Sequence, residues 1–140
     1  MKVSEFMITD VLKVDAHDPL ELAAALMREH RVGMLVVERD GKVCGFLTAR
    51  DIVYEGVAAL AEGKSVAIGD ITRNDLVTVH QDSDLFDVVR VMGNNRRWYI
   101  GVTDNAGECV GIVSVDDVMV IMISEFSHVA DVVTRYSKLL

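Results

Sequence analysis

The chain has 140 residues, of which 51% are hydrophobic, 26% charged and one a proline, which excludes a disordered tail and fits the size of one domain. Its formal charge of -8, from 22 acidic against 14 basic residues, argues against non-specific binding to nucleic acid or an anionic membrane. The longest uninterrupted apolar stretches, such as Val118 to Ile123, are far below the ~20 residues of a bilayer span, and no secretory apolar region follows Met1, so a cytoplasmic protein is expected.

In chain order, Asp18-Pro19-Leu20-Glu21 reads as a helix start, with Asp18 as the cap and Pro19 in the first helical position. Leu20, Ala23, Ala24 and Met27 follow at one-face helical spacing and predict a core face. The runs Gly33 to Glu38 and Val43 to Leu47 flank the polar turn Arg39-Asp40-Gly41-Lys42 and predict a β-hairpin. Thr48-Ala49-Arg50-Asp51 then places a hydroxyl three residues before an acid, the pattern of a capping box opening a helix. Glu62-Gly63-Lys64-Ser65 is a short polar turn, and beyond it the same order returns.

At an offset of 65, Val11 pairs with Leu76, Leu12 with Val77, Val14 with Val79, Leu20 with Leu85 and Met27 with Met92. Leu85, Val88, Val89 and Met92 repeat the helix face, and Trp98 to Thr103 with Cys109 to Val113 repeat the hairpin. After one extra residue in that turn, Gly45, Thr48, Asp51 and Ile52 pair with Gly111, Ser114, Asp117 and Val118. Phe126, Val129, Val132, Val133 and Tyr136 predict a final helix whose apolar face must cover the module or a partner. The expected organisation is a first repeat at residues 1–62, a connection at 63–66, a second repeat at 67–123 and a C-terminal helix at 124–140. The fold class is α/β in an α+β arrangement. Its two strand and helix units pack by their sheets as a pseudo-twofold pair, share a core and create two equivalent clefts.

No catalytic centre is expected: the aspartates of the two copies are not a paired acid/base set and no nucleophile accompanies them. His17, His30, His80 and His128 have no metal-ligand spacing, and Cys44 and Cys109 read as buried small hydrophobes, so no metal is expected. Trp98 and Tyr99 read as core or dimer packing at a strand start.

Gly45-Phe46-Leu47-Thr48-Ala49-Arg50-Asp51 and Gly111-Ile112-Val113-Ser114-Val115-Asp116-Asp117 match the pattern glycine, two hydrophobics, threonine or serine, two variable residues and aspartate. Each half resembles a CBS domain, and the chain from about residue 3 to 123 resembles a tandem CBS pair, or Bateman module. The resemblance implies β-α-β-β-α repeats and a regulatory module that binds an adenosine derivative: AMP, ADP, ATP or S-adenosylmethionine. No other cofactor is required. It implies that Asp51 and Asp117 accept from ribose hydroxyls and that Thr48 and Ser114 stand near ribose or phosphate. Thr78 matches a further contact of the family, where the first repeat has Lys13. Arg50 favours phosphate in its cleft, Asp116 disfavours it in the other, and Arg31, Arg96 and Arg97 are further phosphate candidates. Val11, Val14, Leu76 and Val79 are expected to sandwich a purine, and Trp98 is expected to narrow the second cleft. A homodimer and an unidentified regulated protein are the expected partners. The alternative is a ligand-free dimerising or scaffold module.

Overall fold

The computed structural model describes residues 1–137. After a 3-10 turn at Val3–Glu5, the first half runs β1 (Lys13–Asp15), α1 (Leu20–His30), β2 (Met34–Arg39), β3 (Lys42–Thr48) and α2 (Ala49–Asp51). A π-helical stretch, Ile52–Val57, joins α2 to α3 (Ala58–Ala61). The second half runs α4 (Ile68–Ile71), β4 (Thr78–His80), α5 (Leu85–Asn95), β5 (Tyr99–Thr103), β6 (Cys109–Ser114) and α6 (Val115–Ser137).

Each half carries a three-stranded sheet of the same build, ordered β1-β2-β3 and β4-β5-β6, in which the first pair is parallel and the second antiparallel. Even the irregularities repeat. The ladder slips between Val37 and Glu38 in one sheet and between Val102 and Thr103 in the other, at the same place in the repeat. The first hairpin turns on Asp40 and Gly41, both at positive φ, which suits the twist of antiparallel strands. The β-α-β-β-α order and the pseudo-twofold pairing expected from the sequence are thus present.

Several local expectations are corrected. Pro19, not Asp18, occupies the N-cap of α1, and no side chain caps it; Pro19 instead bridges to Ala67. In α5 a side-chain cap does form, with Asp84 accepting from the Asp87 N–H at 2.9 Å. Leu20, Ala23 and Met27 face the core, and so do Val88 and Met92, but Ala24 and Val89 are exposed because the buried stripe of each helix is narrower than four positions. Cys44 and Cys109 are half-buried rather than buried. The expected separate final helix is the outer part of α6, a continuous 23-residue helix; residues 138–140 of that expectation lie outside the described residues.

The expected shared core is also replaced, by two. One gathers Val14, Leu20, Ala23, Leu35, Val37 and Leu47, the other Val79, Val88, Ile100, Val102, Val113 and Val118. Each half borrows a segment of chain that precedes the other. Val3 is fully buried in the second core, and Ile8 bridges to Ile112, whereas Val66 and Ile68 belong to the first core. The two motif glycines receive these crossing segments. A Cβ on Gly45 would lie 2.2 Å from the Arg73 carbonyl oxygen, and one on Gly111 would lie 2.7 Å from Met7 Sδ. At position 45 backbone approaches the sheet too closely for any side chain, whereas at position 111 the crowding comes first from the Met7 side chain and then from the Ile8 carbonyl.

Candidate ligand-binding site

The strand-to-helix corners of the two motifs are built alike. Asp51 Oδ2 accepts from the Thr48 backbone N–H at 2.9 Å and from Thr48 Oγ1 at 2.8 Å, while the Asp51 N–H donates to Thr48 Oγ1 at 3.2 Å. Asp117 Oδ2 accepts from the Ser114 N–H at 2.9 Å and from Ser114 Oγ at 2.6 Å, and the Asp117 N–H donates back at 3.1 Å. The capping boxes legible in the sequence are both formed. Each uses one carboxylate oxygen, so Oδ1 of either aspartate makes no hydrogen bond among the described residues.

The first of these corners opens on a sizeable cavity. A cleft of about 250 Å³ lies between the halves, lined from the first half by Gly45, Phe46, Thr48, Arg50 and Asp51 and from the second by Arg73, Asp75, Leu76, Val77 and Arg96 to Tyr99. It gathers the motif of one repeat with the approach to the first strand of the other. Of the sequence candidates, Thr48, Arg50, Asp51, Arg96 and Arg97 meet here, with Leu76 on the apolar wall. Arg73, Asp75 and Val77 are additions that no local motif flagged, since the crossing of the chain brings them in, while Phe46 joins from within the first motif.

Four arginines and two aspartates line this cleft, in a chain whose net charge is -8. Arg97 is largely buried and paired with Asp75, while its Nε is buried without an acceptor among the described residues. Arg50, Arg73 and Arg96 are exposed and form no ion pair among the described residues, which leaves the mouth cationic. Arg96 caps α5 in the left-handed backbone region at φ 52. Trp98 bounds the same cleft without closing it: it is 55% exposed, and its indole Nε1 donates to Asp116 Oδ2 at 3.3 Å. Of the two packing roles expected for it, core is thus excluded, and it borders this cleft instead of narrowing the other. Burial first, then the charges of Asp116 and Asp117, push the Tyr99 phenol above its ordinary pKa, so it stays a neutral hydrogen-bonding group.

On the side of the second motif a small pocket of about 30 Å³ is lined by Thr9, Val11, Lys13, Val36, Val43 and Cys109 to Ile112; it holds Val11, Gly111 and Ile112, the counterparts of Leu76, Gly45 and Phe46, but not Ser114, Asp116 or Asp117. It overlaps the counterpart of the larger cleft only in part and does not reach that motif's aspartate. Lys13 stands opposite Val36 where Thr78 stands opposite Gly101, so this sheet carries a larger pair of side chains at the place where the other has a threonine and no side chain at all. Lys13 Nζ is held by Glu38 Oε1 at 3.3 Å. Beside it, burial pushes the Cys109 thiol above its ordinary pKa, so it remains a thiol.

The remaining candidates are placed elsewhere. Val14 and Val79 face the two cores, so they do not sandwich a ligand. Thr78 packs beside Gly101, Arg31 is an exposed left-handed cap of α1 at φ 56, and Ser114 is buried against Asp117. None of Thr78, Arg31, Ser114 and Asp117 lines either cleft. Among the described residues no cluster of three metal-binding side chains occurs, and no helix is long and apolar enough to cross a membrane.

A family model for the CBS domain matches residues 3–57 and 68–124. An inosine-5'-monophosphate dehydrogenase of Korarchaeum cryptofilum is 31% identical over 117 residues, which is 84% of this chain but 23% of that enzyme; the chain thus spans about a quarter of the length of such relatives. Among solved structures, a CBS domain pair in complex with 5'-methylthioadenosine and S-adenosyl-L-methionine superposes with a TM-score of 0.75 at 23% identity, covering 89% of this chain and 98% of that one. CBSX2 in complex with AMP superposes with a TM-score of 0.73 at 20% identity, covering 88% and 96%. At these identities the two structures speak for the fold.

Proposed function

The chain belongs to the CBS domain family, with two copies in tandem, and from that premise we propose that it is a regulatory module binding an adenine nucleotide in the larger cleft. The observation that carries this is the convergence of Asp51, Arg50 and Arg96 on one cavity walled by Leu76 and Val77. A free carboxylate oxygen on Asp51 suits a ribose diol, which offers donors in pairs. Leu76 and Val77 offer apolar surface to a purine face. The guanidinium groups of Arg50, Arg73 and Arg96 suit a phosphate, since each can donate in a fork to an oxyanion.

The volume of about 250 Å³ lies close to the lower end of the roughly 300–1,000 Å³ of small-molecule sites, a size for one nucleotide and not for a larger cofactor. The adenosyl class is supported by the complexes of the two structural neighbours with AMP and with S-adenosyl-L-methionine. Within that class the cationic mouth favours a phosphorylated ligand, because S-adenosylmethionine would bring its sulfonium into a positive site. The small pocket beside Lys13 is assigned no nucleotide.

Arg50, Arg96, Arg97 and Trp98 also line a second groove, beside α6, so the ligand and whatever α6 contacts share a wall. Occupancy is transmitted if the partner of α6 binds the occupied and empty forms unequally, which is the thermodynamic content of regulation. The receiver is a protein partner or a second copy of the chain. A scaffold reading without ligand draws on the exposed apolar face of α6 and is decided by the same titration.

That titration uses AMP, ATP and S-adenosylmethionine, followed by calorimetry. We expect saturable nucleotide binding, weakened about tenfold in Asp51→Asn, the loss of roughly one charged hydrogen bond, and unchanged within twofold in Asp117→Asn. No binding by any of them up to millimolar concentration sinks the proposal, and equal losses in both variants would move the ligand out of this cleft.

A further inference from the structure

From Ile123 to Ser137 every residue of α6 is exposed, so this part of the helix stands clear of the body. At 1.5 Å per residue it projects about 22 Å, and an isolated helix of that length is marginal in water, more so with β-branched Val129, Val132, Val133 and Thr134 in it. Its apolar residues have an order. Met119, Met122, Phe126, Val129, Val133 and Tyr136 are separated by steps of three, four, three, four and three, the a and d positions of a coiled coil.

We propose that a second copy of this chain covers the seam, α6 against α6 and antiparallel, with the last turn of each helix seated in the groove at the root of the other. That groove, of about 480 Å³, is lined by Val89, Met92, Trp98, Val118, Met119 and Met122 among others. Met119 and Met122 belong both to the groove and to the seam, so the two form one continuous apolar surface.

The seam is complementary to itself in this direction. Run antiparallel, its six residues close in a single register, with Met119 opposite the partner's Tyr136, Met122 opposite the partner's Val133 and Phe126 opposite the partner's Val129. No layer then joins two aromatic rings or two valines. A parallel pair would stack Phe126 on Phe126, Tyr136 on Tyr136 and valine on valine, giving layers too thick and too thin in turn. It would also point both helix ends away from the grooves.

Charge decides against a lipid surface as the cover. The helix carries Asp116, Asp117, Glu125 and Asp131 against Arg135, an acidic balance that an anionic bilayer repels. None of these charges occupies a seam position, so the pairing buries no unpaired ion.

The experiment uses the full chain with Cys44→Ala and Cys109→Ala. Sedimentation should show a dimer without added ligand, and Phe126→Glu with Val129→Asp should convert it to a monomer whose two sheets remain folded. Met119→Cys and Tyr136→Cys then report direction. Each alone should stay unlinked on oxidation, because the like positions lie about 25 Å apart, 17 residues along the helix. Their mixture should give a disulfide-linked dimer. A wild-type monomer at submillimolar concentration, a dimer that survives Phe126→Glu with Val129→Asp, or a Tyr136→Cys dimer linked to itself overturns the proposal. The test is made without nucleotide, so its outcome is independent of the ligand reading.

Discussion

Gly45→Ala is expected to destabilise the protein by about 3 kcal/mol, the upper range for forcing extra volume into a packed site, and Gly111→Ala by only about 1 kcal/mol. The two glycines occupy the same place in the repeat and belong to the same motif, so a local reading gives them equal weight. Their neighbours differ. A methyl at position 45 would meet the carbonyl oxygen of Arg73 at 2.2 Å and Thr72 Cγ2 at 3.0 Å, and Thr72 is buried with its own hydroxyl fixed to the Ile68 carbonyl at 2.7 Å. Backbone must move, and the segment that moves carries Arg73 into the ligand cleft. At position 111 the first obstacle is the thioether of Met7, which can swing aside, and the Ile8 carbonyl oxygen lies at a more tolerable 3.1 Å. Urea unfolding measures both. An unchanged dependence on denaturant with a larger fall in midpoint for Gly45→Ala is the expected result; equal shifts would mean that the Arg73 segment yields as easily as a methionine side chain.

The same contrast shows how far the sequence alone carries. The repeat, its strands and helices, the capping boxes and the motif glycines were legible because each rests on periodicity or on residues a few positions apart. The narrow buried stripe that leaves Ala24 and Val89 outside was less so, since periodicity marks a face and not its width. What the sequence did not reveal depends on contacts distant in the chain. The exchange of segments, Val3 into the second core and Ile68 into the first, leaves no local mark. Because of that exchange, Asp51 shares its cleft with Arg73, Val77 and Arg96 of the other half. The two sheets also differ where Val36 stands in one and Gly101 in the other, a difference that strand propensity registers as one more valine. Val14 and Val79 were misplaced for a simpler reason: in strands of three residues a shift of one position exchanges core for surface.

Arg31 and Arg96 allow the cost of the cleft to be separated from its use. Both end their helices in the left-handed region, at φ 56 and 52, where glycine is the ordinary choice and a side chain is strained. Replacing either by glycine should therefore stabilise the protein by about 0.5–1 kcal/mol, the relief of that strain less the added freedom of the unfolded chain. Only Arg96 lines the cleft. Arg96→Gly should thus weaken nucleotide binding about 30-fold, the loss of ~2 kcal/mol for a charge-assisted hydrogen bond to phosphate, whereas Arg31→Gly should bind as the wild type does. Thermal unfolding without ligand and calorimetry with ATP, on both variants, test the two halves of the argument. If both variants gain stability and both keep full affinity, Arg96 is an ordinary helix cap and the phosphate, if bound, rests on Arg50 and Arg73. If Arg96→Gly alone gains stability while losing affinity, the left-handed arginine is a strained position kept for the ligand, and the strain at Arg31 requires another account.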